Sequence, residues 1–405
     1  MKLSELLDIT LLNTHLLNRV VSEMRHPEHK NLAIYNYTHV AQHDNVWDNV
    51  TELCRGLIVD TDTGEVLARP FRKFFNLNTG FRPETQEENL PVYRPRVLEK
   101  LDGSLGIFYT YAGMSYIATR GSFASDQAKW ATEWYTDYKT EYFRSHVECH
   151  PGPSGHYQLT WPEGYTPLFE IIYKENRIVV SYEYEGLVLL GLVNIEDGTE
   201  LPPEIVSEWG KRNGLRVAEE YVDFDLGKCK AFAAPNREGF VLQYWSSDTK
   251  TVLRLKIKTD DYVRLHKVIT GLNPKGIWEH LSLGFDPQAL WLPAATNQQF
   301  AEWCIGWINT FQRMYDKLES ETKSSLGQVA ISALQQINSS PAKLDERAAR
   351  KVWALAIQQE PGNLQPALFA CLSGGDWKKQ LWKQLEPKID GKEVYVRDAD
   401  INNGL

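Results

Sequence analysis

The sequence predicts an α+β fold followed by an all-α domain. Between residues 31 and 263, short runs of β-branched and aromatic residues are separated by Gly, Pro, Asn and Asp, as in strands joined by turns. Helical segments at Ser125 to Tyr142 and Pro203 to Asn213 lie among these runs, so we expect antiparallel sheets with inserted helices. After residue 265, apolar residues recur at the three-to-four spacing of helices.

The strand-like runs predict the local order of the first part. The segments D-T-D-T-G after Val59 and Y-A-G-M from Tyr111 stand between alternating runs, as hairpin turns do. The opening MKLSELLDITLLNTHLLNRVV predicts an amphipathic helix. Strands are expected at residues 57–60, 66–68, 106–111, 114–119, 178–182, 187–193, 239–244 and 252–257.

The length predicts more than one domain. A chain of 405 residues exceeds what one hydrophobic core usually fills. The pattern changes near Gly271 to Lys275, which divides the chain into residues 1–270 and 271–405. The helices expected in the second part are Phe300 to Lys317, Lys323 to Ile337, Leu344 to Gln358 and Asp376 to Gln384.

Composition excludes several classes of protein. A net charge of −9 gives no overall cationic excess, so a nucleic-acid partner would need a local basic site. The five single cysteines favour free thiols in a reducing compartment. There is no secretory-signal pattern and no run of the ~20 apolar residues that a membrane span needs, so we expect a soluble, cytoplasmic protein without a membrane partner. Neither zinc-ligand spacing nor a dinucleotide or P-loop motif is present.

The string E-K-L-D-G-S at residues 99–104 is the most informative local feature. Lys100 follows a predicted strand, and Asp102-Gly103 predicts a tight turn that presents its amine. Alone, the pattern also fits a surface turn with a solvated lysine. Lys256 and Lys258 alternate on one predicted strand, so both ammonium groups project from one face, which could equally be a solvated face.

Further clusters occur in a fixed order around this string. They are C-R-G-L-I at 54–58, R-K-F-F-N at 72–76, F-E at 169–170 with N-R-I-V at 176–179, E-G-F-V at 238–241 and K-I-K at 256–258. Together they resemble the bacteriophage RNA ligase 1 family, which belongs to the covalent nucleotidyltransferase superfamily and seals broken RNA strands with ATP. The resemblance covers roughly residues 30–265. DNA ligases and capping enzymes normally continue into an OB-fold barrel, whereas this chain continues into predicted helices.

The resemblance implies a role for each matched residue. Lys100 would attack the α-phosphorus of ATP, release pyrophosphate and keep AMP as a phosphoramidate. Because an amine is nucleophilic only when neutral, we expect nearby cations and partial burial to favour neutral Lys100. The other implied roles are Arg55 and Lys73 at the pyrophosphate, Lys256 and Lys258 at the triphosphate, Glu170 at the ribose and the metal, Glu238 at the metal, and Asp102 and Gly103 in the turn.

Some assignments are less specific. Arg120 stands where phage members of the family tend to carry a Lys, and its retained charge assigns it to ATP. The strand Leu187 to Val193, with Phe240 or Val241, is expected to line the adenine pocket. Phe75 is either beneath the nucleotide or part of the core.

The resemblance also implies cofactors and partners. ATP would be the co-substrate, with Mg²⁺, or Mn²⁺ in its place, as the metal. The substrate would be RNA with 5′-phosphate and 3′-hydroxyl ends, tRNA included, with residues 271–405 choosing the RNA and a kinase/phosphatase partner preparing the ends. A monomer is expected. The alternatives are a DNA ligase, a capping-type guanylyltransferase, and an RNA-binding protein built on an inactive ligase fold.

Overall fold

The computed structural model describes residues 1–145, 160–245, 252–286 and 298–388. It divides the chain into two compact units, and the boundary between them lies at His266 and Lys267. The roles that the sequence analysis gives to the two parts of the chain stay predictions.

The strands of the first unit all lie between residues 21 and 258. In chain order they are β1 (Val21–Arg25), β2 (Leu32–Tyr37), β3 (Arg55–Asp60), β4 (Glu65–Ala68), β5 (Phe75–Asn76), β6 (Arg96–Lys100), β7 (Ser104–Tyr111), β8 (Met114–Thr119), β9 (Tyr165–Ile172), β10 (Gly186–Asn194), β11 (Arg216–Val217), β12 (Gly239–Trp245) and β13 (Val252–Lys258).

These strands form three sheets within the described residues. Their orders are β1-β2-β3-β4, β11-β10-β9-β7-β8 and β5-β13-β12-β6. Neighbouring strands are antiparallel except for β10 with β11 and β5 with β13. Both predicted hairpins form: β3 pairs with β4, and β7 pairs with β8 through a turn whose Ala112 and Gly113 have φ of 49° and 79°. Two successive positive φ values are typical of the tight turn that matches strand twist.

Helices lie before, between and after these strands, and they include the two that were predicted among them. They are α1 (Leu3–Leu6), α2 (Ile9–Leu17), α3 (His39–His43), α4 (Asn49–Leu53), α5 (Asp126–Ser145), α6 (Pro203–Arg212), α7 (Leu226–Ala231) and α8 (Asp260–Gly271). The prediction of one opening helix is wrong, because Asp8 caps α2 by accepting hydrogen bonds from the amides of Thr10 and Leu11. This cap ends α1 and starts a second helix.

One predicted strand is absent from the described residues. The segment from Ile178 to Tyr182 has no strand pairing. The amides of Val179 and Val180 donate to the Asp102 carboxylate at 2.8 and 2.9 Å instead of to a neighbouring strand. The β-branched composition of the segment therefore predicted the wrong structure, because a tertiary contact takes its backbone donors.

The described residues of the second unit are helical, without a strand. The helices are α9 (Pro274–Ser282), α10 (Gln298–Asn338), α11 (Glu346–Ile357), α12 (Gln365–Leu372) and α13 (Trp377–Gln384). Two of the predicted helices, Phe300 to Lys317 and Lys323 to Ile337, are joined into the single helix α10, since no helix-breaking residue separates them. The prediction of an α+β fold followed by helices is confirmed.

Two further findings concern the chain as a whole. In the part that the structure covers, the longest apolar stretches of helix fall short of what a bilayer crossing requires. Cys54, Cys229, Cys304 and Cys371 are free thiols, as predicted, and Cys149 lies outside the described residues.

Candidate active site

Lys100 ends strand β6, where its backbone pairs with Gly239 of β12. Its Nζ lies 2.7 Å from Oε2 of Glu238, a side chain that is only 4% exposed. The second carboxylate oxygen, Oε1, lies 3.1 Å from Nζ of Lys258 at the end of β13. One buried carboxylate therefore holds two ammonium groups, and the structure brings these three predicted residues together.

The charge of Lys100 differs from the expectation. Burial lowers the pKa of its ammonium, but the carboxylates of Glu238 and Glu170 outweigh burial and leave the pKa above its ordinary value. The expectation that burial and neighbouring cations favour a neutral amine is therefore wrong for the protein without nucleotide. Glu238 decides the outcome because it is in direct contact with Nζ.

Glu170 lies on β9 and faces the turn that follows Lys100. Its Oε1 accepts a hydrogen bond of 2.8 Å from the amide of Gly103. A Cβ on Gly103 would lie 2.5 Å from the backbone oxygen of Ile171, so only glycine lets the turn approach β9 this closely. Burial raises the pKa of Glu170 to about 8, with Lys100 opposing the shift and Glu238 adding to it.

Asp102 anchors the same turn. Its Oδ2 accepts from the amides of Val179 and Val180, and its Oδ1 accepts a 2.8 Å hydrogen bond from the Tyr262 hydroxyl. The amide of Asp102 donates to the Tyr182 hydroxyl at 2.7 Å. These hydrogen bonds fix the backbone around Lys100. They are what a turn-shaping residue would make, and that role of Asp102 stays a prediction.

A second group of cations surrounds Tyr37, a buried residue that the sequence analysis missed. The Arg120 guanidinium donates to the Tyr37 hydroxyl at 2.7 Å, and Lys73 Nζ lies 3.5 Å from the same oxygen. Burial raises the pKa of this hydroxyl, but Arg120, Arg55 and Lys73 together leave the pKa lowered. We call Arg55, Lys73 and Arg120 the Tyr37 cation cluster.

Arg55 reaches this cluster through a β-bulge. Tyr35 pairs with Leu57 and Asn36 pairs with Arg55, so Gly56 is the extra residue on β3. Gly56 has φ of 101°, a value that glycine adopts without strain. The bulge places Arg55 opposite Asn36, on the same face of the sheet.

Lys73 and Lys256 are held among aromatic rings. Lys73 Nζ lies about 5 Å from the ring centres of Tyr37, Trp47 and Phe75. Lys256 pairs with Val241 on β12, and its Nζ lies 5.8 Å from the ring centre of Phe74.

Lys256 is crowded by positive charge. Burial, followed by repulsion from Lys73, Lys100 and Arg55, lowers the pKa of Lys256 to about 7. A cation that is destabilised in this way is stabilised when a polyanion binds beside it. A bound phosphate group would therefore stabilise the Lys256 ammonium.

A cavity of about 1070 Å³ opens onto this region. Of the predicted residues, Lys100, Gly103, Glu170, Arg55 and Arg120 line it directly. The other predicted residues are not part of the lining, although Glu238 contacts Lys100 and Lys256 lies beside Phe74, both of which line the cavity; these residues are Lys73, Lys256, Lys258, Glu238 and Asp102.

The apolar wall of the cavity refines the predicted base pocket. Leu190 of β10 and Val241 of β12 line the cavity, whereas Phe240 is 1% exposed and belongs to the core. Phe74, not Phe75, is on the wall. Phe75 is buried beside Lys73.

Arg254 is a further lining residue that the sequence analysis missed. It precedes Lys256 by two positions on β13, so the alternation R-L-K-I-K already carried the signal. Its guanidinium lies 4.0 Å from the ring centre of Phe71 and forms an ion pair with Glu200.

The carboxylates near Lys100 fit a hydrated divalent cation. In the described residues there is no cluster of three or more His, Cys, Asp or Glu side chains that could enclose a metal. Glu238 and Glu170 are close enough to shift the pKa of Glu170 through their like charges. Mg²⁺ characteristically uses one or two carboxylates and completes its shell with water and substrate phosphates.

Comparison with known proteins identifies the class and then the family. The fold and the order of motifs around Lys100 place the chain in the covalent nucleotidyltransferase superfamily. The model of the RNA ligase family matches residues 53–262, just over half of the chain, and the chain belongs to this family.

Several relatives are similar over the same region. A protein of Thermovibrio ammonificans is 30% identical over 220 residues, covering 54% of each chain. The RNA ligase of Rhodothermus phage RM378 is 26% identical over 55% of this chain and 61% of its own length. RNA ligase 1 of bacteriophage TS2126 is 29% identical over 55% of this chain and 53% of its own. The match thus spans little more than half of these relatives.

Solved structures give a looser match. An archaeal ATP-dependent RNA ligase aligns over 91% of this chain and 96% of its own, with a TM-score of 0.42 and 13% identity.

Proposed function

We propose that this protein is an ATP-dependent RNA ligase that joins 5′-phosphate and 3′-hydroxyl ends through lysyl-AMP and adenylylated-RNA intermediates. The observation that carries the proposal is the placement of Lys100. Its amine lies on the wall of a cavity, in contact with Glu238, and the cavity also adjoins the Tyr37 cation cluster. A nucleophile, a carboxylate and phosphate-binding cations therefore surround one space.

In the first step, Nζ of Lys100 forms a bond to the α-phosphorus of ATP as the bond to pyrophosphate breaks. Lys100 must first leave Glu238 and lose a proton, since the ammonium has no free electron pair. Arg55, Lys73 and Lys256 compensate the charge of the departing pyrophosphate. Lys256 suits this role because burial and the cations around it disfavour its ammonium in the absence of a bound anion.

Glu238 and Glu170 would hold the divalent metal, which we propose is Mg²⁺, with Mn²⁺ able to substitute. The metal would neutralise charge on the phosphate oxygens during transfer. Gly103 fixes the position of Glu170 through its amide, and Lys258 fixes one oxygen of Glu238. The two carboxylates are therefore held in place by the chain before any ligand binds.

In the following steps, AMP passes to the 5′-phosphate of RNA and the 3′-hydroxyl displaces it. We further propose that the helical second unit selects the RNA, that broken tRNA is among the substrates, and that the protein works as a monomer in the cytoplasm. Ends that carry other groups would need a kinase/phosphatase partner.

The first test is covalent labelling of the full chain. Protein incubated with Mg²⁺ and [α-³²P]ATP should acquire label on the peptide that contains Lys100, and Lys100→Ala should abolish it. Lys129→Ala is the matched control, because Lys129 is an exposed lysine on α5 of the same unit. The label should also be lost in acid, which hydrolyses a phosphorus–nitrogen bond.

The same assay separates the alternatives. Labelling from GTP instead of ATP would indicate a capping-type guanylyltransferase, and no labelling from either would indicate an RNA-binding protein on an inactive fold. Comparing circularisation of 5′-phosphorylated single-stranded RNA with sealing of nicked duplex DNA would then distinguish an RNA ligase from a DNA ligase.

A further inference from the structure

The cavity next to Lys100 extends beyond the residues assigned to the nucleotide. Pockets for one small ligand measure ~300–1,000 Å³, and this cavity measures about 1070 Å³. Lys100, Glu170, Leu190 and Val241 line the part assigned to ATP. A second part is lined by the first β-hairpin and its flanking residues, which we call the N-terminal wall: Arg19, Ser22, Asn36, Thr38, His39 and Gln42.

The N-terminal wall begins at the Tyr37 cation cluster. Asn36 pairs with Arg55 of β3 and, on its other side, with Ser22 of β1. Directly paired residues of antiparallel strands share a face, so Arg55, Asn36 and Ser22 form one row across the sheet. Two strand spacings make this row about 10 Å long. The row therefore runs from Arg55, which is assigned to phosphate, across β2 to Ser22, three positions after Arg19 in the sequence.

Two polar groups of this wall, the Asn36 amide oxygen and the Arg19 guanidinium, have no partner among the described residues. Oδ1 of Asn36 is buried and accepts no hydrogen bond from the described residues. Arg19 is exposed in the loop before β1, held by the Thr38 hydroxyl that donates to its backbone oxygen at 2.6 Å, and pairs with no described carboxylate. Glu23, an acidic residue that also lines the cavity, is already paired with Arg25 at 2.7 Å. A buried amide oxygen without a partner and a guanidinium that pairs with no described carboxylate suit a ligand with hydroxyls and phosphates.

The geometry of the transfer reaction indicates which ligand would bind the N-terminal wall. Nucleophile and leaving group lie on opposite sides of the phosphorus in an in-line displacement. Pyrophosphate leaves on the side away from Lys100, so the RNA phosphate that later expels Lys100 must approach from the same side. That side is the Tyr37 cation cluster, where the N-terminal wall starts.

We propose that the N-terminal wall binds the 5′-phosphorylated end of the RNA, with Asn36 contacting the first nucleotide and Arg19 contacting the next backbone phosphate. The proposal rests on the proposed function. An oxygen of the RNA 5′-phosphate forms a bond to the adenylate phosphorus as the phosphorus–Nζ bond breaks. The electron pair returns to Nζ of Lys100, which takes up a proton, and the RNA carries the AMP away.

The experiment starts from protein that already carries AMP on Lys100 and is free of ATP. Single-turnover transfer of AMP to a short 5′-phosphorylated RNA is measured over a range of RNA and salt concentrations, for wild type, Arg19→Ala and Asn36→Ala. Lys129→Ala is the matched control for loss of an exposed positive charge in the same unit.

The expected results differ between the variants. Arg19→Ala should raise the RNA concentration for half-maximal transfer about tenfold, as loss of a charge-assisted hydrogen bond does. It should also reduce the slope of log affinity against log salt by about 0.7, the value for one phosphate of a single strand. Asn36→Ala should raise the half-maximal concentration about fivefold and leave the salt slope unchanged. Arg19→Lys should restore the slope, and Lys129→Ala should match wild type.

Several results would overturn the inference. Unchanged half-maximal RNA concentrations in both variants would show that the wall does not bind RNA, and an unchanged salt slope in Arg19→Ala would remove Arg19 from the phosphate. A slower transfer at saturating RNA with unchanged half-saturation would also contradict binding. If wild type does not acquire AMP at all, this shows before RNA is added. That result would contradict the proposed function and not the RNA-binding role of the N-terminal wall.

Discussion

Replacing Lys256 by arginine should remove a pH dependence from nucleotide binding. Burial and neighbouring cations lower the pKa of Lys256 from 10.5 to about 7 in the free protein. Phosphate groups beside it would favour the ammonium and raise the pKa again. Arginine stays protonated throughout this range, so Lys256→Arg keeps the charge and loses the titration.

The size of the effect follows from the two pKa values. Affinity is full below pH 7, where free Lys256 is already protonated, and falls as the pH rises from 7 toward the pKa of the complex. The fall approaches tenfold per pH unit. At pH 8, free Lys256 is about one-tenth protonated, so nucleotide binding should take up roughly 0.9 of a proton at this site. The terminal phosphate, with a pKa of about 6, no longer titrates there.

Calorimetry can measure both the affinity for the nucleotide and the number of protons taken up on binding. A non-hydrolysable ATP analogue is titrated into the protein at pH 7, 8 and 9, in buffers with different enthalpies of ionisation. The dependence of the heat on the buffer gives the number of protons taken up. Other groups, such as Glu170, titrate in wild type and variant alike, so the difference between them isolates Lys256.

The result that would refute this reasoning is equal behaviour of the two proteins. If wild type and Lys256→Arg take up the same number of protons and lose affinity equally between pH 7 and 9, Lys256 does not contact the phosphates. Lys129→Arg, an exposed lysine of the same unit, should behave as wild type and shows that the exchange alone has no effect.

Three other substitutions test the site. Gly103→Ala should lower the free energy of unfolding by about 1–3 kcal/mol, since its Cβ would lie 2.5 Å from a backbone oxygen, and thermal melting measures this. Glu238→Gln should slow labelling by ATP on the order of 100-fold. The pH dependence of labelling should also move to lower pH, because the Glu238 carboxylate raises the pKa of Lys100, and an unchanged pH profile would contradict this. Tyr262→Phe should cost about 1–3 kcal/mol in urea unfolding, since buried Asp102 loses a partner, and an unchanged midpoint would contradict it.

The parts of the site that sequence predicted are those set by short strands. Lys100 and Glu238 stand at adjacent ends of paired strands, and Lys258 ends the next strand. Side chains alternate between the two faces of a strand, so the string K-I-K by itself predicts that Lys256 and Lys258 lie on one face. The meeting of these residues required the pairing of β6, β12 and β13, which the local pattern did not predict; the resemblance implied only that the residues share one site.

The parts that sequence could not predict depend on contacts between distant segments. Tyr37 joins three predicted cations, yet nothing in the string Y-N-Y distinguishes it from a core tyrosine. The string F-F does not show that Phe74 lines the cavity while Phe75, the first residue of the two-residue strand β5, is buried. The backbone of Val179 is unpaired with any strand because Asp102, far away in sequence, accepts from it. Local propensity contains none of this information.

The charge of Lys100 shows why counting cations is insufficient. Lys256 and Lys258 lie nearby and argue for a neutral amine, but one carboxylate at 2.7 Å outweighs them because Coulomb energy grows as distance shrinks. Lys100 is therefore held as an unreactive ammonium until it leaves Glu238. Its departure would strand a buried carboxylate, which is costly unless another cation remains. Lys258 remains, 3.1 Å from the second oxygen, and it would lower the cost of releasing Lys100 for the proposed reaction.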